Sequence, residues 1–235
     1  MLAQLKTYYQ SILHGFFPHH CLACGTDVLP QNQLLCLPCT QQLPHTHFFV
    51  GNTTAIEMQL AARVPFTHVG SAFYYDKTAA IHHLVEAVKY KGNKAAGIYL
   101  GKLLGASLSQ SAKMQAITHL VPMPLHIKKQ QKRGYNQALL IAEGVQQVWR
   151  KPIAYNFVLR TVNTETQTKK DRVSRWQNMQ NVFSVPHPEL LAHQHILLID
   201  DVLTTGATME ACAQAIFTAQ PNCQVSIATV AYAKD

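Results

Sequence analysis

The sequence predicts an α/β fold, a largely parallel sheet flanked by helices, with a small cysteine-rich module in front of it. Three observations predict this. Ile196 to Ile199 is an unbroken apolar run, the mark of a short strand buried on both faces of a parallel sheet. Strand-like and helix-like segments alternate along most of the chain, as crossover connections require. Cys21, Cys24, Cys36 and Cys39 form two Cys-x-x-Cys pairs separated by eleven residues, the signature of a tetrahedral four-thiolate metal site.

Composition bounds the function. The chain has 235 residues, 48% of them hydrophobic, enough for one large domain plus a small module. Its formal charge is +8 and its pI about 9.2, which suits an anionic ligand or nucleic acid without choosing between them. Only 14% of residues are charged, so the basic excess is local. No run of 18 apolar residues occurs, so no membrane span is expected. Polar residues interrupt Met1 to Phe17, which does not read as a secretory leader. A cytoplasmic location follows as an expectation, with reduced or metal-bound cysteines.

Taken in order, Leu2, Leu5, Tyr9, Ile12, Leu13 and Phe16 recur at helical spacing. This helix is read as packing on the module behind it. Its polar face has few cations, which weighs against the alternative of a membrane-surface helix. Each Cys-x-x-Cys pair aims two thiolates at one point, and metal would supply much of the folding free energy of so short a segment. Structural Zn²⁺ is the reading; an iron–sulfur cluster or free redox thiols are the alternatives. His19, His20, His45 and His47 flank the pairs as substitute ligands, but four Cys already complete a shell. Cys212 and Cys223 are assigned to the core or its margin. The module and a linker are placed at 1–63 and the main domain at 64–235.

In the main domain, Val69 to Tyr75 reads as a strand and Thr78 to Tyr90 as a helix stopped by Gly92. Lys89, Lys91 and Lys94 gather at that stop, either as a solvated helix end or as an anion contact. A second helix spans Ala95 to Leu108. His119 to Pro124 is a short strand running into two prolines. Lys128 to Gln137 carries four cations in six residues and reads as a basic loop before a helix, a candidate anion site. Ala138 to Trp149 is a helix and Ala154 to Leu159 a strand. Arg160 to Gln180 is polar and too long for an idle connection, so it reads as a lid or binding loop. Val182 to Val185, Ile196 to Ile199 and Val225 to Val230 are the remaining strands, and Met209 to Ala219 the remaining helix.

The chemistry concentrates after Ile199. Asp200 and Asp201 follow the strand; Thr204, Thr205, Gly206, Ala207 and Thr208 lead into the helix. Ligands of open α/β sheets bind beyond the carboxyl ends of strands. A helix start offers N–H groups and a positive dipole to a phosphate, and Gly206 lets the backbone approach it. The carboxylates stand about one ribose away, placed to accept from sugar hydroxyls. The stretch can therefore hold a ribose 5-phosphate by both ends.

This stretch closely resembles the phosphoribosyl-pyrophosphate (PRPP) loop of the type I phosphoribosyltransferases. With the Cys₄ module, Val121-Pro-Met-Pro124, Arg133-Gly-Tyr-Asn-Gln137, and Leu159-Arg-Thr with Thr166, Gln167, Arg172, Asn178 and Phe183, the whole chain resembles the ComF family (ComFC/GntX-like). The resemblance implies PRPP contacts from Asp200, Asp201 and Thr204 to Thr208, and Mg²⁺ accompanying PRPP. Arg133, Lys169, Lys170 and Arg172 are the candidates for the pyrophosphate and lid. It also implies a part in DNA uptake during natural transformation, with single-stranded DNA and a ComF-type helicase as partners. The sequence departs from the family pattern upstream of Gly134, where Lys and Gln stand in place of regularly spaced Arg and bidentate geometry is lost. No nucleobase pocket is legible. The alternative function is a catalytically active phosphoribosyltransferase of nucleotide salvage.

Overall fold

The computed structural model describes residues 19–27, 29, 33–51, 54–76, 79–161 and 182–233. The expected amino-terminal helix lies outside them, as does most of the expected lid.

Among the described residues, six strands form two sheets. The main sheet has four parallel strands in the order β1 (Val69–Tyr74), β6 (Gln224–Tyr232), β5 (His195–Leu203) and β2 (His119–Pro122). β3 (Leu159–Arg160) and β4 (Phe183–Ser184) form a small antiparallel ladder. The interior of β5 is apolar on both sides because both faces of the sheet are covered. On one face, Leu197 and Ile199 pack with α3 (Ala80–Tyr90), α4 (Lys94–Ser109) and α6 (Gln137–Trp149). On the other, Ile196 and Leu198 pack with α2 (Ala55–Ala61) and α7 (Ala207–Ala219).

The helical cover on the first face is unusually close. A Cβ on Gly101 of α4 would stand 2.0 Å from the Ile141 carbonyl oxygen, and one on Gly144 of α6 would stand 2.2 Å from that of Ile98. Only glycine admits backbones at this separation.

Between the cysteines and β1, the chain is tied to the sheet. His45 bridges Phe73 on the outer edge of β1. Phe49 fills the place a Cβ on Gly70 would take, at 2.5 Å. A capping box between Thr54 and Glu57 starts α2, and Leu60 is fully buried against the second face.

Two expectations are corrected. Residues 154 to 158 form no strand among the described residues: Ile153 makes an isolated bridge to β2 at Leu120, and Leu159 begins β3 in the small ladder. Pro152 has no N–H to lengthen the pairing with β2. The basic stretch is not a loop but a helix, α5 (Ile127–Arg133). The His126 side chain accepts from the Lys128 N–H at its start, and Gly134 ends it in the left-handed region at φ 83°. Lys, Gln and Arg between them are good helix formers.

Candidate functional site

From β5 the chain passes through α7 to β6, on one side. From β2 it passes through α5 and α6 to Ile153, on the other. The connections diverge between β2 and β5, so the crevice beyond their carboxyl ends is the topological switch point of the sheet, where ligands of such folds bind. Met123 donates its N–H to Ile199 (2.8 Å), and Asn136 donates to the Met123 carbonyl (2.9 Å). These bonds fix the loop after β2 beside β5 and bring the start of α6 to the same edge.

β5 is longer than the apolar run and carries Asp200 and Asp201 within it. Pleating sends adjacent side chains to opposite faces. Asp201 shares the face of Leu197 and Ile199, is buried, and pairs with Lys89 of α3 at 3.0 Å. Its Oδ1 also accepts from the Val202 N–H (2.7 Å), while its buried Oδ2 has no hydrogen-bond partner among the described residues. Asp200 faces the side of Cys212. Its Oδ1 accepts from the Asp201 N–H at 2.9 Å. Burial first, and the Asp201 charge second, push its carboxyl up to about 7, against the pull of Lys89 and Arg160.

The turn after β5 is exposed at Thr204, Thr205, Ala207 and Thr208. Gly206 caps α7 in the left-handed region at φ 81°. A Cβ there would stand 2.5 Å from Leu60 Cδ2, so this glycine is required by packing as well as by conformation. Arg63 and Glu210, 2.7 Å apart, pin α2 to the first turn of α7. The first turn of α7, where the Ala207 N–H donates to Thr205 Oγ1 at 3.5 Å, and three exposed hydroxyls thus border the crevice, with the two carboxylates behind them.

Of the other candidates, Arg133 ends α5 and donates to the Gln137 side chain. Lys169, Lys170 and Arg172 lie outside the described residues. Sequence reasoning missed two charged neighbours of the acidic pair. Lys89 read only as one of three lysines at a helix end. Arg160, whose charge acts on Asp200 and whose guanidinium lies 5.6 Å from the Phe183 ring centroid, read as the start of the polar stretch and as part of the Leu159-Arg-Thr motif, without a role at the acidic pair.

The second site is the thiol cluster. The Cys21, Cys24, Cys36 and Cys39 sulfurs all lie within 4.8 Å of one another, and Cys24 and Cys36 are 3.7 Å apart. A zinc tetrahedron with bonds of about 2.3 Å has sulfur–sulfur edges near 3.8 Å, so the arrangement fits the ion. Two turns build it. Gly25, at φ 74°, closes the first by donating to the Cys21 carbonyl; Cys36 opens α1 (Leu37–Gln41), and Leu22 donates to the Leu34 carbonyl to join them. Burial raises the Cys21 thiol, but backbone N–H groups of Cys24, Cys36 and Ala23 outweigh it and hold it at about 6. Burial and the three other cysteines push Cys39 well up. The candidate histidines are engaged elsewhere: His20 with the Gly25 carbonyl (3.1 Å), and His45 against the Phe73 ring (4.8 Å).

Fold and sites define a phosphoribosyltransferase-type sheet carrying a four-cysteine, metal-competent module. Residues 148–235 match the family model of the phosphoribosyl transferase domain. The chain is similar to proteins named competence protein F, competence protein ComFC and DNA utilization protein YhgH. It is 26% identical to competence protein F of Haemophilus influenzae, over 83% of this chain and 89% of that one. It is 33% identical to competence protein ComFC of Bacillus subtilis over 41% of this chain and 37% of that one. It is 25% identical to the DNA utilization protein YhgH of Escherichia coli over 59% and 62%. The matched segments thus span under two thirds of the latter two proteins. Glutamine PRPP amidotransferase from B. subtilis superposes on 62% of this chain and 30% of its own, at 14% identity and a TM-score of 0.43. No helix among the described residues is long and apolar enough to cross a membrane.

Proposed function

We propose that this chain binds PRPP or ribose 5-phosphate at the switch point and takes part in single-stranded DNA uptake or handling during natural transformation. The observation that carries the reading is the joint placement, at one sheet edge, of an acidic pair, three exposed threonines and the glycine-capped start of α7. The names of the homologues support the DNA-handling role.

In this reading the N–H groups of the α7 turn and the hydroxyls of Thr204, Thr205 and Thr208 hold the 5-phosphate. Asp200 and Asp201 orient the ribose hydroxyls. The rise in the Asp200 pKa is a cost of keeping the pair ready, relieved when donors arrive. The hard carboxylate oxygens of Asp200 and Asp201 at this edge would suit a Mg²⁺ accompanying PRPP, and the ion would supply neutralising charge. Arg133 and the 169–172 cations complete the neutralisation. If the bond to pyrophosphate is broken here, the chain contributes positioning and electrostatics. The Cys₄ module holds structural Zn²⁺. A ComF-type helicase is the proposed protein partner, and the cytoplasm the proposed location.

Titrating Mg·PRPP into the wild type and into D200N/D201N tests the site. The double variant should bind at least tenfold more weakly while keeping its circular dichroism; equal affinity overturns the assignment. A second reading, a salvage phosphoribosyltransferase, is favoured by the matched domain itself. Pyrophosphate release with a nucleobase acceptor would establish it. Repeating the titration with single-stranded DNA present separates the two, because coupled sites change each other's affinity by the same factor.

A further inference from the structure

Two basic segments far apart in the sequence meet in space. Tyr135, just after α5, donates its hydroxyl to the Val88 carbonyl near the end of α3, 47 residues away. Lys94, at the start of α4, lies 5.7 Å from the centroid of the same Tyr135 ring. These contacts dock the end of α5 against the α3–α4 turn. Lys91 and Lys94 of that turn and Lys128 and Lys132 of α5 are all exposed. Tyr90, the last residue of α3, is 75% exposed, although an aromatic of this size normally shelters its ring. The acid one turn back, Glu86, faces His82 at 3.6 Å.

From this junction we propose a single-stranded nucleic-acid surface, with Tyr90 stacking a base and Lys91, Lys94, Lys128 and Lys132 following the phosphates. It rests on the DNA-handling reading above and gives it a location. Cations spaced about an exposed aromatic suit a chain of phosphates carrying flat bases. A phosphate-only partner would use the cations and leave the ring idle. An anionic membrane would ask for a broader apolar face than exposed Tyr90 and Ile127 provide. Lys89 lies next to Tyr90 but is committed to Asp201, so the nucleic-acid surface and the PRPP crevice adjoin without sharing this cation.

The test is fluorescence anisotropy of labelled oligothymidylate with the full chain, beside an abasic oligomer of equal length. Tyr90→Ala should weaken oligothymidylate binding about tenfold and leave the abasic oligomer unchanged, while Tyr90→Phe binds as wild type does. K91Q/K128Q should flatten the dependence of affinity on salt for both probes. Mg·PRPP titration of the same variants should match the wild type, so failure here is distinguishable from failure of the PRPP site. Oligothymidylate binding unchanged by Tyr90→Ala overturns the proposal, as does equal weakening with both oligomers. Binding of phosphatidylserine vesicles that depends on Tyr90, without oligothymidylate binding, overturns it in favour of a membrane surface.

Discussion

Lys89 Nζ lies 3.0 Å from Asp201 Oδ1, and this contact joins α3 to the acidic end of β5. Both partners are largely removed from water, so the pair differs from a surface ion pair. Its removal on one side strands a buried charge, which is more costly than losing the attraction.

Lys89→Met should therefore destabilise the chain by about 2–4 kcal/mol, and K89M/D201N should recover much of the loss. Urea unfolding of the two single variants and the double variant measures this. A Lys89→Met midpoint equal to wild type would show that the pair carries no stability.

Asp200 gives a pH signature with a definite sign. Its folded carboxyl titrates at about 7, against an unfolded value of about 3.9. Folding then favours the protonated form, so this group's contribution is fully present below about pH 4 and is lost as pH rises to about 7. Asp200→Asn should match wild type near pH 4 and exceed it by about 2 kcal/mol at pH 8, after allowance for partial exposure. Urea midpoints at both pH values decide it; a difference independent of pH would show that Asp200 is not perturbed.

Gly206→Ala meets two penalties, a left-handed backbone at φ 81° and a contact with Leu60 Cδ2 at 2.5 Å. The expected loss is about 2–4 kcal/mol, with weaker Mg·PRPP binding. Adding Leu60→Ala should restore the fit but not the backbone strain, and it leaves its own cavity. Thermal unfolding of G206A in the wild-type and L60A backgrounds isolates the contact, which predicts a smaller G206A loss in the second.

The thiol cluster predicts about one zinc per chain and loss of local structure on chelation. Proteolysis within residues 19–42 should accelerate when a strong chelator is added, and Cys36→Ser should reproduce it without chelator. Metal-free protein with four freely titrating thiols and unchanged proteolysis would remove zinc from the account.

How much of this was legible varies with the range of the interaction. The Cys-x-x-Cys pairs needed only local spacing, because each pair is one turn. The acidic pair and the Thr-Thr-Gly turn were equally plain, being consecutive in the chain. β4 falls inside the strand expected over Val182 to Val185, whereas β3, only two residues long, begins at the last residue of the strand expected over Ala154 to Leu159. α5 read as a loop because its charge masked good helix formers, although His126 and Gly134 were visible caps. Nothing local marked Lys89 as the partner of Asp201, Arg160 as a neighbour of Asp200, or Leu60 as the reason for Gly206.

By itself, then, the sequence determined the α/β class, the four thiols and the Thr-Thr-Gly turn after the acidic pair, because periodicity, turn chemistry and ligand spacing act over a few residues. Only the tertiary structure decided that β2 and β5 bracket the switch point, that the two carboxylates face opposite sides of β5, and that α3 and α5 meet at Tyr135. Those are consequences of sheet order, pleating and helix docking. Each depends on which distant segments bury their apolar faces together, and no local window of the chain contains that information.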